Sequence, residues 1–332
     1  MKRKDLLYDK IYSLPNLILA DRKARKNKSK NYGVQVFDRH YMGNLTRLSN
    51  WLQSCKYHTS KYTTFTIYEP KERLIFRLPY FPDRIVHHAI MNIMEPIWIN
   101  TFVKNTYSCI KGRGIHKAVN DIKYDLKKYP EETIYCLKLD IRHYYPSIDH
   151  EILKTIIRKK IKDDRLLMLL DEIIDSTTGV PIGNYLSQFF ANLYLTYFDH
   201  WLKEDLRVKF YYRYCDDIVI LGKSKEELRE IFKKIQEYLT TNLKLEIKHN
   251  WQIFNIDIRG IDFLGYVFRH SHTRLRKTTK HRLCMKVVNQ SRYYKTTKTR
   301  HNKIGSYFGW LKYCNSLRLK NKLNIYYNEK IF

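Results

Sequence analysis

Leu45, Leu48, Trp51 and Leu52 recur at helical spacing in an otherwise basic, polar stretch, so one or two helices are expected in residues 1–60. The period then changes to two. Tyr62, Phe65 and Ile67, followed by Leu74, Phe76 and Leu78, read as two strands, and Glu69-Pro70-Lys71-Glu72 between them reads as a hairpin turn. Residues 83–99 are apolar-periodic and predict a buried helix, and residues 115–128 predict an amphipathic one. A strand follows over 134–141. Residues 149–175 are helical in pattern, with Asp149 as N-cap. Gly179-Val180-Pro181-Ile182-Gly183 interrupts the pattern before a long apolar helix over about 185–202. Residues 210–215 and 218–221 predict two short strands around Asp216-Asp217. Ser224-Lys225-Glu226-Glu227 is a capping box for a helix that carries Leu228, Ile231, Phe232, Ile235 and Leu239 on one face. Strands are expected over 243–268 and basic helices over 270–332. The central order strand–helix–helix–strand–strand–helix–strand predicts an α+β core with an antiparallel sheet backed by helices.

Charge changes the picture. The 332 residues hold 62 Lys plus Arg against 33 Asp plus Glu, a net +29, far more than solubility requires. Such an excess repels itself in a compact state, so a polyanionic partner, nucleic acid first, is expected. No long apolar run and no lipidation signature supports a membrane partner. The 28 tyrosines suit base stacking beside the cations, although AT-rich coding accounts for the same bias. The six cysteines include no Cys-x-x-Cys pair, and with no export signal they read as reduced thiols in a cytoplasmic protein.

Within this basic chain, acid collects where strands end. Asp140 closes the apolar strand Leu137-Lys138-Leu139-Asp140-Ile141, and Asp216-Asp217 lies at a hairpin tip. If these strands are neighbours in one sheet, the carboxylates converge and repel unless cations separate them. Mg²⁺ prefers such oxygens together with substrate phosphates. Two ions ~4 Å apart activate a hydroxyl and stabilise a leaving pyrophosphate. Asp-Asp also serves turn geometry alone, so the dipeptide by itself decides little.

The surrounding motifs decide more. Tyr214-Cys215-Asp216-Asp217 resembles the Tyr-x-Asp-Asp signature of reverse transcriptases. The stretch from Leu137 to Ile148 resembles the block holding their first catalytic Asp. Gly179–Gly183 with Ala191-Asn192-Leu193-Tyr194-Leu195, and then Phe263-Leu264-Gly265-Tyr266, resemble the next blocks. Lys71–Ile75 and Asp83-Arg84-Ile85-Val86 resemble the fingers. These motifs run in family order over roughly residues 65–268. The resemblance implies a right-hand polymerase with fingers, palm and helical thumb. In it, Asp140, Asp216 and Asp217, with the Ile141 carbonyl, hold two Mg²⁺ ions, or Mn²⁺ in their place. Lys71 and Arg73 would meet the dNTP triphosphate; the alternative is a solvated hairpin face. Tyr145 falls at the steric gate against a 2′-hydroxyl; the alternative is core packing. By the same resemblance, residues 1–60 are a basic extension and 61–135 the fingers and start of the palm. Residues 136–268 are the palm, with a fingers insertion at about 149–180, and 269–332 the thumb.

One departure narrows the resemblance. Most relatives, including group II intron and retron enzymes, carry Gln where this chain has Ile182. Ile182-Gly183 followed by Ser187-Gln188 is similar to the reverse transcriptases of diversity-generating retroelements, as is Ser306–Lys312. Ile182 and Gln188 are then nucleotide-binding residues, with Ile182 beside the nascent pair. A Gln there can hydrogen-bond the nucleotide and Ile cannot, which links Ile182 to errors at template adenines; packing alone is the alternative. This group implies a bacterial, archaeal or phage setting, template RNA and RNA–cDNA duplex as partners, and a small basic accessory protein that forms a ring. Its products are adenine-mutagenised cDNA that diversifies a target gene. After residue 270 no second acidic constellation occurs, and the remaining length is too short for an RNase H or HNH domain. A group II intron-like or retron-like enzyme without mutagenic role, and a non-catalytic RNA-binding protein of the same fold, are the other readings.

Overall fold

Ser13 is extended (φ −58°, ψ 136°) and Pro15 stands in the first helical turn after it, so the N-terminal stretch breaks into more helices than the one or two expected. Four form: Tyr8–Tyr12, Leu14–Ala24, Tyr32–Asp38 and Tyr41–Gln53. The computed structural model describes residues 3–68, 72–293, 305 and 309–323. The chain divides into two units, each built from separated stretches. The first takes residues 1–109, 141–207 and 235–248; the second takes 110–140, 208–234 and 249–332.

In the first unit, Leu45, Leu48 and Leu52 are buried as their spacing predicts, while Trp51 stays part-exposed. The helix Leu14–Ala24 lies on the apolar helix Ile85–Ile99, where Asn16 Nδ2 donates to the Ala89 carbonyl at 3.1 Å. Strands β1 (Thr63–Ile67) and β2 (Arg73–Arg77) pair antiparallel as expected, and residues 69–71 of the expected turn lie outside those described. Asp149 caps the helix His150–Arg158, accepting from Ile152 N at 3.1 Å. The helical pattern over 149–175 does not run through, because Asp163 caps a second helix, Asp164–Asp175. The other carboxylate oxygen of Asp163 accepts from Leu7 N at 2.7 Å and Tyr8 N at 2.9 Å, tying the N-terminus down. The apolar stretch over 185–202 likewise turns at Leu195, separating Tyr185–Tyr194 from Thr196–His200.

The second unit holds β3 (Tyr135–Asp140), β4 (Phe210–Tyr214), β5 (Asp217–Gly222) and β6 (Gln252–Asn255). They form one antiparallel sheet in the order β4-β5-β3-β6. Ile218–Leu221 are all buried, a run covered on both faces. The amphipathic helix Ile115–Lys128 buries Ala118, Val119, Ile122 and Leu126, and its Asp125 accepts from the Tyr212 hydroxyl. The capping box holds: Glu227 N donates to Ser224 Oγ at 3.1 Å, opening the helix Lys225–Leu243. Past β6 the expected run of strands is corrected. Asn255 Oδ1 accepts from Asp257 N and Ile258 N, and this cap starts the short helix Ile256–Arg259. Strands β7 (Ile261–Phe263), β8 (Tyr266–Phe268) and β9 (Thr273–Leu275) then form a separate sheet. The region after 270 therefore begins with a strand before the basic helix Lys277–Tyr293. Of the motif Ser306–Lys312, residues 306–308 lie outside those described.

One packing detail sets acid sensitivity. His87 is fully enclosed in Ile85–Ile99, and its Nε2 has no hydrogen-bond partner. Burial, then the nearby His88 and Arg84, holds its pKa down to about 3. An unfolded histidine takes its proton near 6.5, so this contribution to stability is complete above that pH and is lost as the pH falls. The unfolding free energy, read from urea titration, is expected to drop between pH 7 and pH 5, by up to ~1.4 kcal/mol per pH unit for this one group below its unfolded pKa. Equilibrium unfolding at the two pH values checks it, and His87→Leu is expected to reduce the dependence, with His88, held down to about 4 chiefly by burial, supplying what remains.

Candidate active site

The sheet of the second unit brings acid together. Asp140 ends β3 and stands directly opposite Asp217, the first residue of β5; Asp217 in turn faces Tyr214 of β4. Asp216 occupies the turn with Cys215, whose φ is +54°. The pair expected at the hairpin tip is thus divided: Asp216 lies in the turn, and Asp217 is already strand. Like charges directly opposite one another in a sheet destabilise it, so this pairing calls for a counter-cation. Arg213 of β4 is fully buried, and its Nη1 donates to the Cys215 carbonyl at 3.0 Å, bracing the turn from beneath.

Asp217 Oδ1 is buried with no hydrogen-bond partner. Its nearest cation is Lys138 Nζ at 3.9 Å, beyond hydrogen-bonding reach. Burial raises the Asp217 carboxyl from 3.8 to about 6, with Asp140 and Asp216 pushing the same way and Lys138 and Arg276 opposing. Sequence reasoning missed Lys138 and Arg213. Lys138 was findable: it sits two residues before Asp140, on the same face of β3. Lys138 is also anchored, donating to the Asp262 carbonyl. Among the described residues no group of three or more metal-type side chains is close enough to form a cage. The site nevertheless suits a hard divalent ion, which takes one or two carboxylates from protein and its remaining oxygens from water and phosphate. The buried Asp217 oxygen, without a hydrogen bond among the described residues, is where such an ion has something to satisfy.

The remaining sequence-predicted residues belong to the first unit. Ile141 is buried and bridges to Ile247. Two backbone hydrogen bonds stitch the Gly179–Gly183 block between its neighbours. Val180 N donates to the Tyr145 carbonyl at 2.9 Å, and Phe76 N of β2 donates to the Ile182 carbonyl at 2.8 Å. Tyr145, Ile182 and the strand bearing Arg73 are therefore held in one local frame. The Tyr145 ring lies edge-on to Tyr144 at 5.7 Å, half-buried; Ile182 is half-buried; Arg73 and Gln188 are exposed. Lys71 lies outside the described residues.

A mixed helical and antiparallel fold with strand-end carboxylates in a Tyr-x-Asp-Asp hairpin is that of the right-hand polymerases. The pattern of the family described as reverse transcriptase (RNA-dependent DNA polymerase) matches residues 69–268, and the chain belongs to that family. Among curated proteins, Protein YkfC of Escherichia coli is 27% identical over 201 residues, covering 56% of this chain and 48% of that protein. The group II intron-encoded protein LtrA of Lactococcus lactis is 21% identical over 266 residues, covering 58% and 44%. The chain spans about half the length of these curated relatives. Among solved structures, apo telomerase from Candida tropicalis, truncated from its C-terminal domain, has a TM-score of 0.50 at 13% identity. It covers 71% of this chain and 60% of that one, a likeness of fold. No helix among the described residues is long and apolar enough to cross a membrane.

Proposed function

We propose that this chain is an RNA-directed DNA polymerase that uses Mg²⁺, or Mn²⁺ in its place. The observation that carries the reading is the cross-strand pair Asp140–Asp217, in which the buried Asp217 Oδ1 has no hydrogen-bond partner among the described residues, inside a protein of net charge +29. Asp140, Asp216 and Asp217, with the Ile141 carbonyl, would hold the metal, which when bound supplies charge stabilisation for nucleotidyl transfer. Lys138 limits the repulsion among the carboxylates before the ion arrives. Lys71 and Arg73 are assigned to the incoming triphosphate and Tyr145 to the 2′-hydroxyl gate. The palm, fingers and thumb are assigned to the boundaries expected from sequence. The surplus of Lys and Arg is assigned to template RNA and RNA–cDNA duplex.

The finer reading is the diversity-generating type, copying a template RNA into adenine-mutagenised cDNA with a ring-forming basic accessory protein. It is supported by Ile182-Gly183 with Ser187-Gln188. The Ile182 carbonyl is engaged by Phe76 N, so its backbone is fixed and only its side chain is left to meet a nucleotide. Ile182→Gln is expected to lower the error rate opposite template adenine several-fold without changing errors at other bases, as read by sequencing cDNA. An unchanged spectrum would remove Ile182 from selectivity. The likeness to the group II intron-encoded protein favours a second reading, an intron-type enzyme that copies faithfully. Synthesis on a structured RNA with and without the accessory protein, followed by sequencing, separates the two. Errors concentrated at adenines support the first and uniform fidelity the second.

A further inference from the structure

The N-terminal helices and the foot of the β1–β2 hairpin enclose a cavity of about 630 Å³, wholly within the first unit, for which the carboxylate chemistry has no use. Lys28, Lys61, Arg77 and Arg84 line it, and among the described residues none of the four makes an ion pair. The acids that neighbour them in sequence are committed elsewhere. Asp21 and Asp38 both hold Arg25 at 2.8 Å, and Asp83 accepts from the Tyr57 hydroxyl and Ser60 N. Burial and the adjacent Arg77 disfavour the charge on Arg84, and burial and Arg84 disfavour that on Lys28. Lys28, Lys61 and Arg77 are exposed and Arg84 is half-buried; like charges gathered around one cavity repel, and an anion relieves them together. Part of the remaining wall is aromatic: Tyr32 is 78% exposed, and the Phe81 ring carries Arg47 over its face at 5.2 Å. Phe81 also packs on Phe37 and Trp51, so the open ring is that of Tyr32; cations beside it, in a space the size of a small-ligand site, match a phosphate joined to a base.

We propose that this cavity is a nucleotide-binding site, with Lys28, Arg77 and Arg84 holding the phosphate and Tyr32 receiving the base beside Phe81. The nucleotide is either free or one residue of an RNA strand. The site uses none of the polymerase carboxylates and stands or falls separately from them.

Photolabelling of the full chain tests it, with 8-azidoadenosine triphosphate in one arm and a short RNA carrying 4-thiouridine in the other. Adducts are mapped to peptides. Labelling of the segments holding Tyr32 and Phe81 is expected in at least one arm: the first arm then assigns a free nucleotide, the second alone a strand residue. Arg77→Gln with Arg84→Gln is expected to reduce that labelling about tenfold, as loss of charge-assisted phosphate contacts does. Lys225→Gln with Lys233→Gln, on an exposed helix, leaves it unchanged. Tyr32→Ser alters an exposed side chain that the fold does not need, and is expected to reduce labelling at Phe81 as well. Asp216→Ala with Asp217→Ala is expected to leave labelling intact, so a failure of the polymerase reading is told apart. No adduct in either segment from either reagent, or undiminished labelling in both the arginine pair and Tyr32→Ser, overturns the proposal.

Discussion

DNA synthesis on an RNA template is expected to fall at least ~10³-fold in the Asp216→Ala/Asp217→Ala variant, because ions that stabilise attacking and leaving oxygens supply several kcal/mol of the barrier reduction. Primer extension with radiolabelled dNTP measures it, and salt-dependent RNA binding by the same variant shows whether the basic surface is intact. Binding retained with synthesis lost assigns the carboxylates to chemistry; synthesis retained sinks the assignment. The pH dependence has a definite sign. The Asp217 carboxyl is held up to about 6, chiefly by burial, so the ionised form to which the proposal assigns metal binding is depleted as the pH falls through 6. At limiting cation, synthesis is expected to decline below that pH. Excess cation is expected to restore it, because metal and proton compete for one oxygen.

Gly179→Ala is expected to destabilise the first unit by ~3 kcal/mol or more, a backbone effect of the largest class. Gly179 has φ +61°, and an added Cβ would lie 2.5 Å from the Pro146 carbonyl oxygen and 2.7 Å from Pro146 Cα. Those are backbone atoms with nowhere to go. Relief requires parting the two segments, which breaks the hydrogen bond from Val180 N to the Tyr145 carbonyl. Gly43→Ala is the internal contrast. Gly43 lies in the helix Tyr41–Gln53, with nothing within 4 Å of the added carbon, and the same change there is expected to stabilise by ~0.5–1 kcal/mol. Thermal melts of the two variants should shift in opposite directions; equal shifts would mean the Gly179 turn relaxes without cost.

What was legible in the sequence followed physical rules that act locally. The helices Ile85–Ile99 and Ile115–Lys128 and the strand ending in Asp140 came from periodicity, because each buries one regular face or run. Asp149 and Ser224 were readable as caps because a cap is chemistry over three residues. The tie of Asp163 to the N-terminus escaped notice because Leu7 N and Tyr8 N are over 150 residues away, although its cap on Leu166 N is local. The helix Ile256–Arg259 was lost inside apolar strand-like residues, its only local mark being Asn255. At the site, the carboxylates stood out through motif order, yet nothing local told that Asp140 faces Asp217 and not Asp216. That fact belongs to the register of β3 on β5. Arg213 was invisible for the opposite reason: an arginine between aromatic residues reads as surface, and its burial depends on what the sheet lays over it.

The sheet order β4-β5-β3-β6 also has a consequence for how the protein is born. Asp140 and Asp217 face each other but lie 77 residues apart in the chain. At a synthesis rate of ~5–20 residues per second, the first carboxylate leaves the ribosome roughly 4–15 s before its partner exists. During that interval β3 has neither of its final neighbours, since β5 and β6 both follow it in sequence. An apolar strand with two open edges then waits without either of its partners. Nascent-chain chaperones, and the speed of translation across residues 141–217, therefore bear on the yield of this protein before any property of the finished site does.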